Sequence, residues 1–289
     1  KRLAIGTATE SSNTGQTLSF RNNSIPIPNE GIGTFTISKK CNLKGNCMSM
    51  LFKNYAANNY SLEGKNYAFY KLFYNCSNII NVSENFLPAT ILSSDCYRDM
   101  FLGCTSLTIA PELPATNLAT SCYRDMFRGC TSLTTAPELP AEVLNEGCYL
   151  GMFEGCTSLS KAPELPAFIL ANCCYDSMFA GCISLTEAPE LPAIELKANC
   201  YYSMFAGTAL STAPKLPAEK LVTSCYRQMF QDCHNLNHVE CMATDISASN
   251  CTRFWLYGTA SGGTFVKHPD MNDWTFGDHG IPSTWEIIN

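Results

Sequence analysis

The sequence predicts an α/β repeat fold, with parallel strands and short helices stacked into a curved solenoid. Two observations carry this. A motif of 26 residues recurs down most of the chain. Within it, apolar residues fall at spacings that one short helix and one short strand can bury. The unit at 122–147 reads CYRDMFRGCTSLTTAPELPAEVLNEG. The Cys before each aromatic marks the period: Cys96, Cys122, Cys148, Cys174, Cys200, Cys225 and Cys251. The steps are 26 residues except one of 25, where the turn at 207–210 reads GTAL and lacks one residue.

Taken in order, residues 1–46 differ in kind from the rest. They are rich in Thr, Ser, Asn and Gly, with short β-type runs at 18–20 and 33–38 and a Pro-rich turn between. This predicts a small β-rich capping element over the first repeat; a partly disordered lead-in is the alternative. The array then occupies 47–289. Two worn copies open it, with Cys47 before Leu51 and Phe52, and Ala68 before Leu72, Phe73 and Cys76. An irregular link at 54–65 separates them. The regular repeats fill 96–250 and a C-terminal cap fills 251–289, where Trp255 and Leu256 replace Met-Phe. Atypical end copies are expected of repeats with one unstacked face.

Within a repeat, Cys122, Met126 and Phe127 share one face of a predicted helix, and Arg124, Asp125 and Arg128 take the other side. Thr120 or Ser121 is suited to cap its start, and Gly129 to end it in the left-handed conformation. Leu133, Ala136, Leu139 and Leu144 then approximate the leucine-rich pattern LxxLxL, so the fold predicted is a curved leucine-rich-repeat solenoid. The Pro of APELP has no N–H to donate, which predicts a bulge or a strand of only a few residues. At roughly 5 Å per strand, about eight copies would make a rod roughly 40 Å long. In the repeat after Cys225 the strand reads LNHVEC and drops the APELP feature, which predicts a more regular sheet there. Residues 264–267 and 285–288 are further candidate strands.

At this point the chain resembles a known family. CYRDMFRGCTSLTTAPELPA is similar to the BspA-like leucine-rich repeats of bacterial cell-surface proteins, whose units carry an AFxGCxSL core and a short strand ending in Pro. The match covers 68–260. The tail GTFVKHPDMNDWTFGDHGIPSTWEII is similar to segments that close such arrays in gut anaerobes such as Bacteroides. KGNCMSMLF and GKNYAFYKLF are similar to the entry into them. The chain departs by one extra residue in APELP and by Cys at two repeat positions. The resemblance implies a secreted or cell-surface (outer-membrane-attached) protein and, for some members of the family, adhesion to host matrix proteins. The chain starts at Lys1 without Met, so removal of a signal segment is expected, with a chain trimmed in another way as the alternative.

Composition excludes some classes. The chain is 46% hydrophobic and 15% charged, as a globular protein is. A net charge of -6 argues against a nucleic-acid surface. No apolar run approaches the ~20 residues of a membrane span. The 17 Cys need a decision. The two of one repeat sit eight residues apart, about 12 Å along a helix, too far for a bridge. Ala68 and Thr208 each replace one Cys without a matching loss. Two ladders of buried, reduced thiols are therefore expected; a few bridges are the alternative, with Cys173 next to Cys174 and Cys41 near Cys47, which lie off the ladders, as the candidates.

No chemistry stands out. Thiols that recur with the period are core residues, not nucleophiles beside a base. Cys233, His234, His238 and Cys241 invite a zinc reading, but the repeat register points the thiols inward and leaves His234 in a turn, so no metal is expected. His268 and His279 stand alone. No catalytic residue, cofactor or metal is assigned.

Two ladders face the question of binding. Glu112, Glu138, Glu164 and Glu190 hold one repeat position, followed by Lys215. This candidate ligand-facing stripe suits a basic partner or weak calcium binding; a solvated edge is the alternative. Tyr97, Tyr123, Tyr149, Tyr175, Tyr201 and Tyr226 form the other, expected to pack against the Phe ladder with the phenol at the rim. The function expected is a non-enzymatic cell-surface binding or adhesion protein with a protein ligand. The alternative is a carbohydrate-binding or scaffold component, which requires exposed aromatics at the cap, where Trp255, Tyr257, Trp274 and Trp285 are candidates. An enzyme would require a perturbed group outside the repeat register.

Overall fold

The segment expected to be a helix is a ribbon of linked turns. In the computed structural model, which describes residues 34–51, 60–272 and 274–289, the backbone of each repeat follows a strict alternation. Cys122, Arg124, Met126, Arg128 and Cys130 each donate their N–H to the carbonyl three residues back, at 3.0–3.3 Å. The residues between them, Ser121, Tyr123, Asp125, Phe127 and Gly129, donate instead to carbonyls of the next repeat, at 2.8–3.0 Å. Each turn closes on itself, and the ribbon as a whole is cross-linked to its neighbour.

This path needs a left-handed residue at every fourth position. Ser121 has φ 52°, Asp125 has φ 52° and Gly129 has φ 70°. Each is the third residue of its turn, the mark of a type II turn, and the intervening turns lack it. An α-helix accepts no such residue in its interior. Asp, Asn, Ser and Gly are the types that tolerate the conformation best. The same column runs Asp95, Asp99, Gly103 and, further on, Asn199, Ser203, Gly207. Ser121 is therefore a turn residue and not a helix cap. Among the described residues the only helices are 3-10 turns at Cys47–Met50, Glu84–Phe86 and Gly277–His279.

Strands are few, short and parallel. β1 (Cys41–Leu43) pairs with β2 (Ile79–Val82), and β3 (His238–Cys241), β4 (Thr264–Lys267) and β5 (Glu286–Ile288) form a second sheet in that order. The second sheet begins where LNHVEC replaces the Pro-bearing sequence. Between the sheets, neighbouring repeats meet through single bridges such as Ile109 to Thr135, Thr135 to Lys161 and Val143 to Ile169. The APELP segments carry no ladder, as Pro within them would interrupt one. Of the runs expected in the N-terminal element, 18–20 lies outside the described residues. Residues 34–38 are irregular, and the strand comes later, at β1. Phe35 nonetheless donates its N–H to Leu72 and stacks on Phe73, so this stretch lies against the worn repeat.

Side chains between the left-handed positions fill the core. Cys122, Tyr123, Met126, Phe127 and Cys130 are all buried, as are Leu133, Leu139 and Leu144. The rings do not pack Tyr on Phe as expected. Tyr stacks on the Tyr of the next repeat and Phe on Phe. One column runs from Phe69 through the six Tyr to Trp255 and Trp274, with centroids 5.5–6.2 Å apart. The other runs from Phe35 to Phe230 at 5.4–5.7 Å. Burial of each ring is worth about 3 kcal/mol, with about 1 kcal/mol more from stacking.

The phenols are not at the rim either: the Tyr123 and Tyr201 hydroxyls are buried without a partner. Removing an unsatisfied buried hydroxyl while keeping the ring should stabilise the protein. Tyr123→Phe is expected to raise the free energy of unfolding by about 1 kcal/mol, whereas Tyr123→Ala should lower it by about 4 kcal/mol. Urea denaturation of the two variants checks both signs.

Candidate functional site

The thiols form the two expected ladders, and all 17 cysteines are unbridged. Each thiol of the second ladder also makes a defined contact. Cys104, Cys130, Cys156 and Cys182 donate to the Phe carbonyl of the preceding repeat at 3.1–3.2 Å. In the short repeat, Thr208 replaces Cys and its hydroxyl donates to Phe205 at 2.8 Å. Burial pushes the Cys122, Cys174, Cys182, Cys225 and Cys241 thiols up to about 12, so they are protonated at neutral pH and poor nucleophiles. Cys41 and Cys173 are only partly covered.

The residues weighed for zinc do not converge. Cys233 is buried and donates to Phe205, and Cys241 is buried in β3. His234 is exposed, with its ring nitrogen 2.7 Å from the Gly258 carbonyl. Among the described residues no three His, Cys, Asp or Glu side chains are placed to share an ion. No described helix is long and apolar enough to cross a membrane.

The acidic stripe lies in solvent. Glu112, Glu138, Glu164 and Glu190 are all exposed, and Lys215 at the end of the column pairs with Glu240 at 2.6 Å. The stripe is carried by the APELP segments, not by strands. Two of these segments, 161–166 and 187–192, bound an open groove of about 490 Å³. Lys161, Glu164, Glu187 and Glu190 line it together with Leu165 and four prolines. Here the repeats part: residues 186–197 make no backbone hydrogen bond to either neighbouring repeat. Just after the APELP segments in sequence, large apolar residues face water. Val143, Phe168, Ile169 and Ile194 are 48–68% exposed. Nothing in the repeat pattern of the core signals them, since they occupy positions filled elsewhere by Thr116, Asn117 and Glu195.

The aromatic cap does not form an exposed cluster. Trp255, Trp274 and Trp285 are buried, because the first two end the Tyr column and the third lies against Gly263 and donates its indole N–H to the Ala260 carbonyl at 3.0 Å. Of the four candidates only Tyr257 is exposed. On the outer side of the ribbon the charged residues pair closely. Arg98 meets Asp95 at 3.0 Å, Arg124 meets Asp125 at 3.3 Å, and Arg128 reaches Glu154 of the next repeat at 2.7 Å. Burial, then the neighbouring Asp125, holds the Asp99 carboxyl above its usual range.

No family model, curated protein or solved structure matches this chain.

The thiol ladders set a pH limit on stability. A buried thiol binds its proton more tightly folded than unfolded, so its stabilising effect is complete below the unfolded value near 9.0 and is lost as pH rises toward about 12. At pH 10 each such thiol costs about 1 kcal/mol, and several act together. The urea midpoint is expected to hold level from pH 6 to 8 and to collapse between pH 9 and 11. In native protein at pH 8, iodoacetamide should label Cys41 and Cys173 first and leave the ladder cysteines unlabelled.

Proposed function

We propose that this chain is a leucine-rich-type repeat solenoid of the BspA-like kind and that it is a non-enzymatic surface or secreted binding protein. Its ligand-binding face is the APELP side, and the ligand is an extracellular protein. One observation carries the reading: the exposed carboxylate column, with the groove at Glu164 and Glu190, is followed in the same repeats by exposed Val143, Phe168, Ile169 and Ile194. Apolar residues that expose half their surface in a row, rimmed by charge, are characteristic of protein contact sites. Support for the solenoid comes from the repeat-to-repeat hydrogen bonds and the continuous ring columns. A carbohydrate reading that relies on the cap tryptophans loses its basis, since those rings are inside. The buried thiols and phenols, all held protonated, offer no activated nucleophile.

The test is surface binding to fibronectin, laminin and collagen. The wild type is expected to bind one of them with salt-sensitive affinity. Glu164→Lys with Glu190→Lys should weaken that binding by tenfold or more, and Phe168→Ala with Ile194→Ala by a similar factor. Unchanged binding in both variants would overturn the assignment of this face.

A further inference from the structure

Along the outer column of the ribbon, the residue before each left-handed position reads Arg98, Arg124, Leu150, Asp176, Tyr202, Arg227 and Arg253. The arginines at its two ends differ. At the N-terminal end the left-handed residue is an aspartate, and Arg98 and Arg124 pair with it or with Asp95. At the C-terminal end that aspartate is replaced by Gln228 and then by Phe254. Arg227 and Arg253 accordingly have no carboxylate within ion-pair distance among the described residues. The Arg227 Nε is buried without an acceptor, as is that of Arg98, but Arg98 has the two aspartates beside it.

These two cations are held rather than loose. The Arg227 guanidinium lies 5.4 Å from the Tyr202 ring centre, and that of Arg253 lies 5.0 Å from Phe254. Rings orient a guanidinium without neutralising it. The residues sit on neighbouring rungs, joined by the Gln228 N–H to the Arg253 carbonyl at 2.9 Å. Two guanidinium groups on neighbouring rungs without an ion-pair partner, in a chain of net charge -6, favour the approach of an anion.

Their surroundings select among anions. The Tyr202 hydroxyl donates to Gln228, and the Gln228 amide donates to Gln231 at 2.6 Å. Such hydroxyl and amide groups both donate and accept, as sugar hydroxyls do. Tyr257, 57% exposed and edge-on to Phe254, offers an open ring beside them.

We propose that Arg227 and Arg253 form a binding site for the carboxylate or sulfate of an acidic glycan, with Gln228, Tyr202 and Tyr257 contacting the sugar. The site lies on the ribbon, not on the APELP segments, and does not depend on the protein-binding reading.

The test is calorimetric titration of the full chain with hyaluronan and chondroitin sulfate oligosaccharides, alongside dextran and poly-L-glutamate. At least one acidic glycan is expected to bind, more weakly as salt rises, and dextran is not. Arg227→Gln with Arg253→Gln should weaken binding about a hundredfold, and Arg253→Gln alone about tenfold. Tyr257→Ala, an exposed change that leaves the charge intact, should weaken it several-fold, with thermal unfolding as the check on fold. Carboxylated and sulfated oligosaccharides separate the two anion sources. The proposal is overturned if neither acidic glycan binds, if the arginine variants bind as the wild type does, or if poly-L-glutamate binds as tightly as the glycan.

Discussion

The structure depends on one alternation in its backbone. Along the ribbon, every second N–H closes a turn and every other one reaches the next repeat. Both sets are satisfied only if the chain reverses its handedness at each fourth residue. That fixes the side chains as well. Pairs such as Tyr123 with Cys122 and Phe127 with Met126 are delivered to the core in register, so each ring falls on its counterpart one repeat away. The ring columns and thiol ladders follow from the ladder of hydrogen bonds, and each column makes a slipped register costly by leaving rings unstacked.

The same alternation explains where variation is tolerated. The 25-residue step loses its residue after Gly207, outside the ribbon, and the rungs on both sides of it remain intact. Thr208, in place of Cys, turns its hydroxyl to the Phe205 carbonyl of its own repeat, where the ladder thiols reach the Phe of the preceding one, so the position accepts a small polar group that satisfies itself locally. The APELP side is free of these demands. Proline interrupts pairing there, the repeats meet by single bridges or not at all, and exposed Glu and apolar side chains are accommodated.

The period, the buried set and the late strands were legible in the sequence because burial follows spacing whatever the backbone does. The ribbon was not, because Cys122, Met126 and Phe127 at spacings of four and five suit a helix equally well. The distinguishing signal lay in the residues between them. Ser121, Asp125, Gly129 and Asn199, Ser203, Gly207 recur every fourth place, and no helix favours such a column in its interior. Glu164 and Glu190 could be placed in solvent from their repeat position, but the groove between their segments depends on how far two repeats part, which no pattern records. Trp255 and Trp274 count as cap aromatics in the carbohydrate alternative, and Trp255 stands where the repeat has Met, so nothing in the spacing shows that both continue the Tyr column. Arg227 and Arg253 escaped notice because they match Arg98 and Arg124 letter for letter. What changes is the next residue, from Asp99 and Asp125 to Gln228 and Phe254.

The ladder also decides how the molecule carries load. Its interrepeat hydrogen bonds point from one repeat to the next, so tension applied to the two ends of the stack passes through every interface in turn. Such bonds act in series, and the assembly yields at its weakest junction rather than sharing the force. Around 186–197 the repeats are joined by ribbon and core but by no backbone bond on the APELP side, so under load those junctions rely on the ribbon hydrogen bonds and the ring columns alone.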